Sequence, residues 1–162
     1  MKVVFRKARH SDAEALARTS ELAFHDDVKY GAPGPPGGPP GYNSAAWQKR
    51  MMGIGEYYTI QVSEPGAGSQ VVGGIIVFRK ATREYELGRI FLTPAYQNQG
   101  IGTRAFEFLW QTYPLAKRWT LGTPKWNRRT RHFYKKVGLS EIGEDEHEGV
   151  LFERRIAAKV GG

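Results

Sequence analysis

The stretch Gln97–Gly102, with the sequence QNQGIG, contains the residue types of an anion-binding turn. A helical pattern begins at its end, with apolar residues at Ile101, Ala105, Phe108 and Leu109. Backbone N–H groups at the start of a helix can converge on a phosphate where glycines leave the approach open. The loop therefore predicts a site for a phosphate-bearing molecule.

The same loop, read from Gly100, also gives G-x-G-x-x-A, which is close to a dinucleotide-binding fingerprint. That fingerprint normally opens a six-stranded sheet, yet only 60 residues follow Gly102 here. It also requires an acidic residue about 20 positions later, but no Asp or Glu lies between Glu107 and Glu141. The pattern therefore disfavours a dinucleotide, and a glycine-containing helix start without a ligand is the plain alternative.

Two further candidates lie on a later predicted helix that covers residues 127–137. Asn127 can cap this helix, and Tyr134 follows seven residues later. The phenol of a tyrosine is protonated at pH 7 and can donate a proton. The alternative interpretation of Tyr134 is a core tyrosine that packs beside Phe133.

The first turns of the same helix contain three arginines, although the helix dipole disfavours cations at this end. They are Arg128, Arg129 and Arg131. Their placement indicates either a nearby anion, such as the phosphates of a nucleotide, or an ordinary solvated helix face.

The segments IFLTPAYQNQGIG and WNRRTRHFYKKVGL together resemble the GNAT superfamily of acetyl-CoA-dependent N-acetyltransferases. The shared pattern is an aliphatic strand, a proline, the loop Q/R-x-x-G-x-G, and an Asn followed by a Tyr. The matching positions are Ile90–Leu92, Pro94, Gln97, Gly100, Gly102, Asn127 and Tyr134. The order of predicted elements also fits, so the resemblance covers almost the whole chain.

The resemblance implies acetyl-CoA as co-substrate and no metal. Its pantetheine arm would pair with the backbone of Ile90, Phe91 and Leu92 in a gap between the fourth and fifth strands, where an amide would polarise the thioester carbonyl. Gln97 would orient the loop, and Asn127 would hydrogen-bond the cofactor. The other implied contacts are Asn98, Gln99, Gly100, Ile101, Gly102, Thr103 and Arg104, of which Arg104 can equally be an ordinary exposed arginine.

The implied activity is acetyl transfer to a primary amine, either of a small molecule or of a peptide or protein, with Tyr134 as the acid that protonates the departing thiolate. Glu86 lies fourteen residues before Gly100, where some histone-type members carry their general base. Its alternative role is an ion pair with Arg89, Arg83 or Lys80. Gly122 stands where ribosomal-type N-terminal acetylases carry a glutamate, which argues against a protein N-terminus as acceptor.

The elements that must position these residues predict a mixed α/β fold in the order β-α-α-β-β-β-α-β-α-β-β. This order predicts a GNAT-like, largely antiparallel sheet of six to seven strands with about four helices. Ser11 and Glu14 predict a capping box, and Asn43 or Ser44 can cap the second helix. Gly73-Gly74 within the third strand indicates a bulge or a close backbone approach.

The segment Gly31–Gly41 predicts a loop, because Ala32 is its only residue that is neither Gly nor Pro. In the family, the acceptor enters between the first two helices and the strand edges. The segment is therefore a candidate lid over the acceptor, or else a solvated insertion. The aromatic residues that flank it and could line the entrance are Phe24, Tyr30, Tyr42 and Trp47.

Composition sets the remaining bounds. The 162 residues predict one domain, 1–162, and contain no cysteine, so disulfides and thiolate metal sites are excluded. We expect a cytoplasmic location, since we find no run of signal-peptide or membrane-span length. The acidic clusters at His25–Asp27 and Glu144–Glu148 are better explained by a helix end and a hairpin turn than by metal binding.

The net charge of +8 favours a polyanionic partner. Nucleic acid is a candidate through the Arg/Trp-rich segment 117–131, but we find no recognised nucleic-acid motif, so this function is disfavoured. A non-catalytic module that senses acyl-CoA is the other alternative to an enzyme. A homodimer is compatible with the sequence.

Overall fold

The computed structural model describes residues 1–157, in which seven strands form one sheet flanked by four α-helices. The strands are β1 (Lys2–Lys7), β2 (Glu56–Glu64), β3 (Gly68–Ala81), β4 (Glu84–Leu92), β5 (Arg118–Pro124), β6 (Ser140–Glu144) and β7 (Gly149–Arg155). The helices are α1 (Ala13–His25), α2 (Ala45–Ile54), α3 (Ile101–Thr112) and α4 (Arg128–Lys136). The predicted fold class and element order are confirmed.

The sheet has the strand order β1-β2-β3-β4-β5-β7-β6, and β4 and β5 are its one parallel pair among the described strands. This pair is short, because only Glu84–Glu86 align with Arg118–Thr120. Beyond Glu86 the two strands diverge, so residues 87–92 of β4 have no partner in β5. The gap that the family resemblance implies is therefore present.

Two irregularities lie in the part of β3 that pairs with Phe91 and Leu92 of β4. Ile60 pairs with Gly73 and Gln61 with Val71, so Val72 is an extra residue in β3. A β-carbon on Gly74 would lie 2.6 Å from the Phe91 ring. The sequence predicted a bulge or a close backbone approach at Gly73-Gly74. The structure has the bulge at the adjacent Val72, and a β-carbon on Gly73 would clash with the Phe91 carbonyl oxygen, which confirms the close approach.

A second bulge lies in β4, where the sequence did not predict one. Ile76 pairs with Arg89 and Val77 with Leu87, which leaves Gly88 unpaired at the point where β4 leaves β5. Bulges bend a strand and re-aim its side chains. A β-carbon on Gly88 would clash with the Phe78 ring, so this position requires glycine.

The core is divided between the two faces of the sheet. The larger cluster packs α3 and α4 against the sheet through residues such as Phe106, Leu109 and Trp119. The smaller cluster lies under α1 and α2 and includes Leu16 and Phe91. No helix among residues 1–157 has the length and apolar character needed to cross a membrane.

The predicted capping box of Ser11 and Glu14 is wrong. Residues His10–Asp12 form a 3-10 turn, and α1 begins at Ala13 with Asp12 as its N-cap residue, one residue later than a cap at Ser11 predicts. The carboxylate of Asp12 accepts the Arg9 amide at 2.8 Å and pairs with Arg6 at 3.2 Å.

The cap of α2 is confirmed at one of the two predicted positions. Ser44 is the N-cap residue, and its Oγ accepts the backbone N–H of Trp47 at 3.1 Å. This bond satisfies one of the amides that a helix start leaves without an intrahelical acceptor.

Candidate functional site

A cavity of about 620 Å³ opens where β4 and β5 diverge, and we call it the splay cavity. Its walls are residues 87–92 of β4, residues 121–124 of β5, the start of α4, and the end of α1 with part of the Gly/Pro segment 31–41. Six of the predicted site residues line it, namely Ile90, Phe91, Leu92, Gln97, Asn127 and Tyr134. The structure thus brings residues from both sequence motifs into one cavity.

Tyr134 is both a core residue and a residue of the cavity wall. Its ring is buried and packs with Phe106 and Phe152 at centroid distances of 6.0 and 5.6 Å. The residue nevertheless lines the splay cavity, and no residue within 1–157 hydrogen-bonds its hydroxyl. Burial raises the pKa of Tyr134 to about 12, with a further rise from the charge of Asp27. The phenol is therefore fully protonated at neutral pH.

Asn127 caps the helix that carries Tyr134. Its side-chain Oδ1 accepts the backbone N–H of Thr130 at 3.1 Å, and the residue is buried. This bond fixes the start of α4. Because Asn127 also lines the cavity, its amide nitrogen is available to a bound molecule.

Gln97 ties the glycine loop to both walls of the cavity. Its Nε2 donates to the carbonyl of Leu92 at 2.8 Å, and its Oε1 accepts from Arg129 at 2.5 Å. The first contact holds the loop to the end of β4, and the second holds it to α4. The orienting role that the resemblance implies for Gln97 agrees with this geometry.

Gly100 is the N-cap residue of α3 and has a left-handed backbone, with φ of +81°. No heavy atom lies within 4 Å of a β-carbon built there, so glycine is required by φ rather than by space. The amide of Arg104 donates to the Gly100 carbonyl at 3.1 Å, which is the first turn of the helix. The amides of Ile101, Gly102 and Thr103 precede that bond and are free to meet an anion.

Gly102 is constrained for a different reason. A β-carbon there would lie 2.9 Å from the Phe133 ring, so the absence of a side chain lets α3 approach α4. This close contact joins the glycine loop to the residue before Tyr134. The sequence predicted an open approach for a phosphate at this position and gave no sign of the helix contact.

The other loop residues lie outside the lining of the splay cavity. Asn98, which has φ of +61°, is exposed, as are Gln99, Thr103 and Arg104. The side chain of Ile101 is buried in the core, so only its backbone can reach a ligand.

Glu86 lies at the point where β4 and β5 separate. It aligns with Thr120 of β5 and Phe78 of β3, and it is partly buried. The cavity lining begins with its neighbour Leu87. Among residues 1–157 it forms no ion pair with Arg89, Arg83 or Lys80, so the alternative structural role is not realised.

The pairing of Asp27 with Arg129 is a part of the site that the sequence analysis missed. Both line the splay cavity, and Arg129 Nη2 lies 3.3 Å from Asp27 Oδ1. Burial raises the pKa of Asp27, and the charge of Arg129 opposes that rise. No local pattern marks Asp27, because the adjacent Asp26 looks equivalent in sequence yet pairs with Lys29.

Two of the three arginines at the start of α4 have protein partners. Arg129 bonds Asp27 and Gln97, and Arg131 pairs with Glu141 at 2.8 Å. Arg128 is exposed, which agrees with the solvated helix face that the sequence analysis offered as one interpretation.

The four aromatic residues around the Gly/Pro segment have distinct positions. Phe24 lines the splay cavity. Tyr42 packs on Phe24 and hydrogen-bonds His25 at 2.9 Å, while Trp47 lies under the guanidinium of Arg89. Tyr30 lies under Arg129. Tyr30, Tyr42 and Trp47 therefore do not line the splay cavity. Each packs instead against a residue that does.

The Gly/Pro segment forms one side of the splay cavity. Ala32, Pro33, Pro35, Gly37, Gly38 and Pro39 all contribute to the lining. Arg89 Nη2 donates to the carbonyl of Pro40 at 2.6 Å, which attaches the end of the segment to β4.

Within residues 1–157, no group of three or more acidic, His or Cys side chains could hold a metal ion.

Comparison with known proteins was made on sequence and on structure. The chain is 26% identical over 157 residues to the uncharacterised protein YrkN of Bacillus subtilis, an alignment that covers 94% of this chain and 82% of that protein.

Two solved structures share the fold. The PaiA N-acetyltransferase of Thermoplasma acidophilum, in complex with coenzyme A, superposes with a TM-score of 0.75 at 16% identity over 96% of this chain and 100% of that one. An acetyltransferase of Thermus thermophilus superposes with a TM-score of 0.76 at 13% identity, over 96% of this chain and 98% of that one. Residues 35–139 also match the profile described as the acetyltransferase (GNAT) family, which is more than half of the chain. The chain belongs to the GNAT acetyltransferase family.

Proposed function

We propose that this protein is an N-acetyltransferase that moves the acetyl group of acetyl-CoA to a primary amine. The observation that carries the proposal is the Tyr134 hydroxyl, which has no partner within residues 1–157 and belongs to the wall of the splay cavity. A family of acetyltransferases and an unpaired proton donor in a strand gap together favour catalysis over simple binding.

Three features fit coenzyme A as the donor. Residues 87–92 of β4 present a strand edge without a partner in β5, to which an extended amide chain can add. The α3 start offers free amides and the positive end of a helix dipole to a diphosphate. The related Thermoplasma protein was solved in complex with coenzyme A.

Acetyl-CoA, when bound, supplies an acetyl thioester, so a C–N bond to the amine forms as the C–S bond breaks and free thiol is released. Tyr134 donates its phenolic proton to the departing sulfur. The second proton lost by the nitrogen restores the phenol. Burial raises the pKa of Tyr134 to about 12, so the phenol is protonated at neutral pH and carries the proton that this step requires.

Glu86 is proposed as the base that takes the first proton from the ammonium form of the acceptor. It lies beside Leu87 at the edge of the splay cavity, so a water molecule is needed to relay the proton. The absence of an ion-pair partner for Glu86 among residues 1–157 leaves its carboxylate free for this role.

The proposed acceptor entrance lies between α1 and the Gly/Pro segment. Phe24 and the prolines of the segment offer apolar surface to the body of an amine. The segment acts as a lid in this proposal, with its far end held by Arg89.

The test is thiol release from acetyl-CoA in the presence of a panel of primary amines, which includes alkylamines, amino acids, polyamines, aminoglycosides and a lysine peptide. Turnover that depends on one class of amine supports the proposal. Saturable acetyl-CoA binding with no amine-dependent thiol release across the panel would instead indicate a non-catalytic acyl-CoA-binding module.

A further inference from the structure

The splay cavity has one carboxylate among the described residues of its wall, and this is Asp27. The other charged side chains in the wall are the guanidinium groups of Arg89 and Arg129. An alkylamine is mostly a cation at neutral pH, as the reference pKa of lysine near 10 illustrates. A cationic acceptor that enters this cavity therefore finds one group of opposite charge.

Asp27 has one carboxylate oxygen engaged and one open. Oδ1 accepts from Arg129 Nη2 at 3.3 Å. No side chain within residues 1–157 donates to Oδ2, although only 16% of the side-chain surface is exposed. A partly desolvated carboxylate oxygen that accepts no other side-chain hydrogen bond is a strong acceptor for an ammonium N–H.

Arg129 holds this carboxylate in place. Its guanidinium lies 3.8 Å from the centroid of the Tyr30 ring and also donates to Gln97 at 2.5 Å. The position of Asp27 is therefore coupled to the glycine loop across the cavity. A carboxylate that is fixed before the ligand arrives loses less entropy on binding.

Asp27 and the proposed acid Tyr134 line the same cavity. The charge of Asp27 also contributes to the raised pKa of Tyr134, after burial. An amine bound to Asp27 would therefore lie in the cavity that contains the group that protonates the leaving sulfur.

We propose that Asp27 binds the ammonium group of the acceptor, and that the acceptor is a small alkylamine with an apolar body. The proposal rests on the acetyltransferase function proposed above. Phe24, Pro33 and Pro39 supply the apolar wall beside the carboxylate. Asp27 is therefore the specificity-determining residue for a cationic amine.

The test measures binding of n-butylammonium chloride by titration calorimetry at pH 7. The Asp27→Asn variant should weaken this binding at least tenfold and leave the Kd for acetyl-CoA unchanged. The matched control is Asp26→Asn, since Asp26 is adjacent, pairs with Lys29 and lies outside the cavity lining. This control should bind n-butylammonium as the wild type does.

A second measurement uses only the wild-type protein, in case Asp27→Asn fails to fold. Wild type should bind n-butylammonium at least tenfold more tightly than 1-butanol, its uncharged analogue. Equal affinities, or unchanged butylammonium binding in a folded Asp27→Asn variant, would overturn the proposal.

The two proposals fail in different ways. Loss of the acetyltransferase function appears as no acetyl-CoA binding or thiol release while Asp27-dependent butylammonium binding persists. Failure of the Asp27 proposal alone appears as normal acetyl-CoA binding and thiol release with no dependence of butylammonium binding on Asp27.

Discussion

Arg129 donates from Nη1 to Oε1 of Gln97 at 2.5 Å, and this bond joins the first turn of α4 to the glycine loop. Gln97 also donates from Nε2 to the Leu92 carbonyl at the end of β4. One amide side chain thus links the three elements that surround the start of α3. We therefore expect this link to help to position the loop.

The Gln97→Ala variant should therefore bind acetyl-CoA about tenfold more weakly, which corresponds to a loss of about 1.4 kcal/mol. Two side-chain hydrogen bonds are lost, and one of them comes from a charged group. Titration calorimetry measures the change. Gln70→Ala is the control, since Gln70 bonds Tyr96 on the exposed surface and its loss should leave the Kd unchanged. Equal affinity in Gln97→Ala would show that the link does not position the loop.

The Glu86→Gln variant should shift the pH–rate profile to higher pH. Without a carboxylate to accept the ammonium proton, turnover depends on the fraction of amine that is already neutral, and that fraction grows with pH. Initial rates of thiol release from about pH 6 to about pH 10 give the profile. A profile that coincides with that of the wild type would exclude Glu86 as the base.

Replacement of residues 31–41 by a short Gly-Ser linker should raise the KM for the acceptor and leave the Kd for acetyl-CoA unchanged. The segment contributes to the cavity wall on the acceptor side but does not contact the α3 start through any hydrogen bond among the described residues. Steady-state kinetics with the best amine of the panel measure the KM. Unchanged acceptor kinetics would make the segment a solvated insertion.

Asp12 should stabilise the fold at neutral pH. Burial would raise the pKa of this carboxyl, but hydrogen bonds from Arg6 and Arg9 outweigh it and hold the pKa below its usual value of 3.8. Because the pKa of Asp12 is lower in the folded protein than in the unfolded chain, the ionised carboxylate stabilises the fold at any pH above the unfolded-state pKa. This stabilisation is lost as the pH falls through the pKa of the folded protein.

The free energy of unfolding of the Asp12→Asn variant should accordingly be about 1–3 kcal/mol lower than that of the wild type at pH 7, as measured by urea denaturation. The difference from wild type should shrink as the pH is lowered below 3.8. Glu14→Gln is the matched control, because Glu14 is the acidic residue of the capping box that the sequence predicted and the structure lacks. A larger loss in Glu14→Gln than in Asp12→Asn would restore the predicted cap.

Local patterns were sufficient to predict the elements and part of the site. The glycine loop, the Ser44 cap and the Asn127 cap depend on residues within a few positions of each other, so their signals are visible in the sequence. Tyr134 became a candidate because the resembling family carries a Tyr seven residues after an Asn, and the structure places it in the cavity wall. The close backbone approach at Gly73-Gly74 was indicated by two consecutive glycines in an apolar strand.

The contacts that the sequence did not reveal join residues that are far apart in the chain. Asp27 and Arg129 are separated by 102 positions, and no local sequence pattern around either residue predicts its contact with the other. Gly102 is required by its contact with the Phe133 ring, which belongs to a different helix. The wrong cap at Ser11 has a local cause, since residues His10–Asp12 form a 3-10 turn before α1 and it is the Asp12 carboxylate that accepts a backbone amide, that of Arg9.

The central claim is that the splay cavity binds acetyl-CoA and that the Tyr134 hydroxyl supplies the proton for the departing thiol. Tyr134→Phe removes that oxygen and leaves the ring packed against Phe106 and Phe152. Tyr58→Phe is the control, because Tyr58 lies in the same core cluster but bonds Tyr113 away from the cavity.

The decisive measurement is kcat for thiol release beside the Kd for acetyl-CoA in Tyr134→Phe. We expect kcat to fall by about 100-fold or more, the usual range for loss of a general acid, with the Kd within about twofold of wild type. Tyr58→Phe should keep both values. A Tyr134→Phe enzyme with wild-type turnover, or a wild-type protein with no saturable acetyl-CoA binding, would contradict the account.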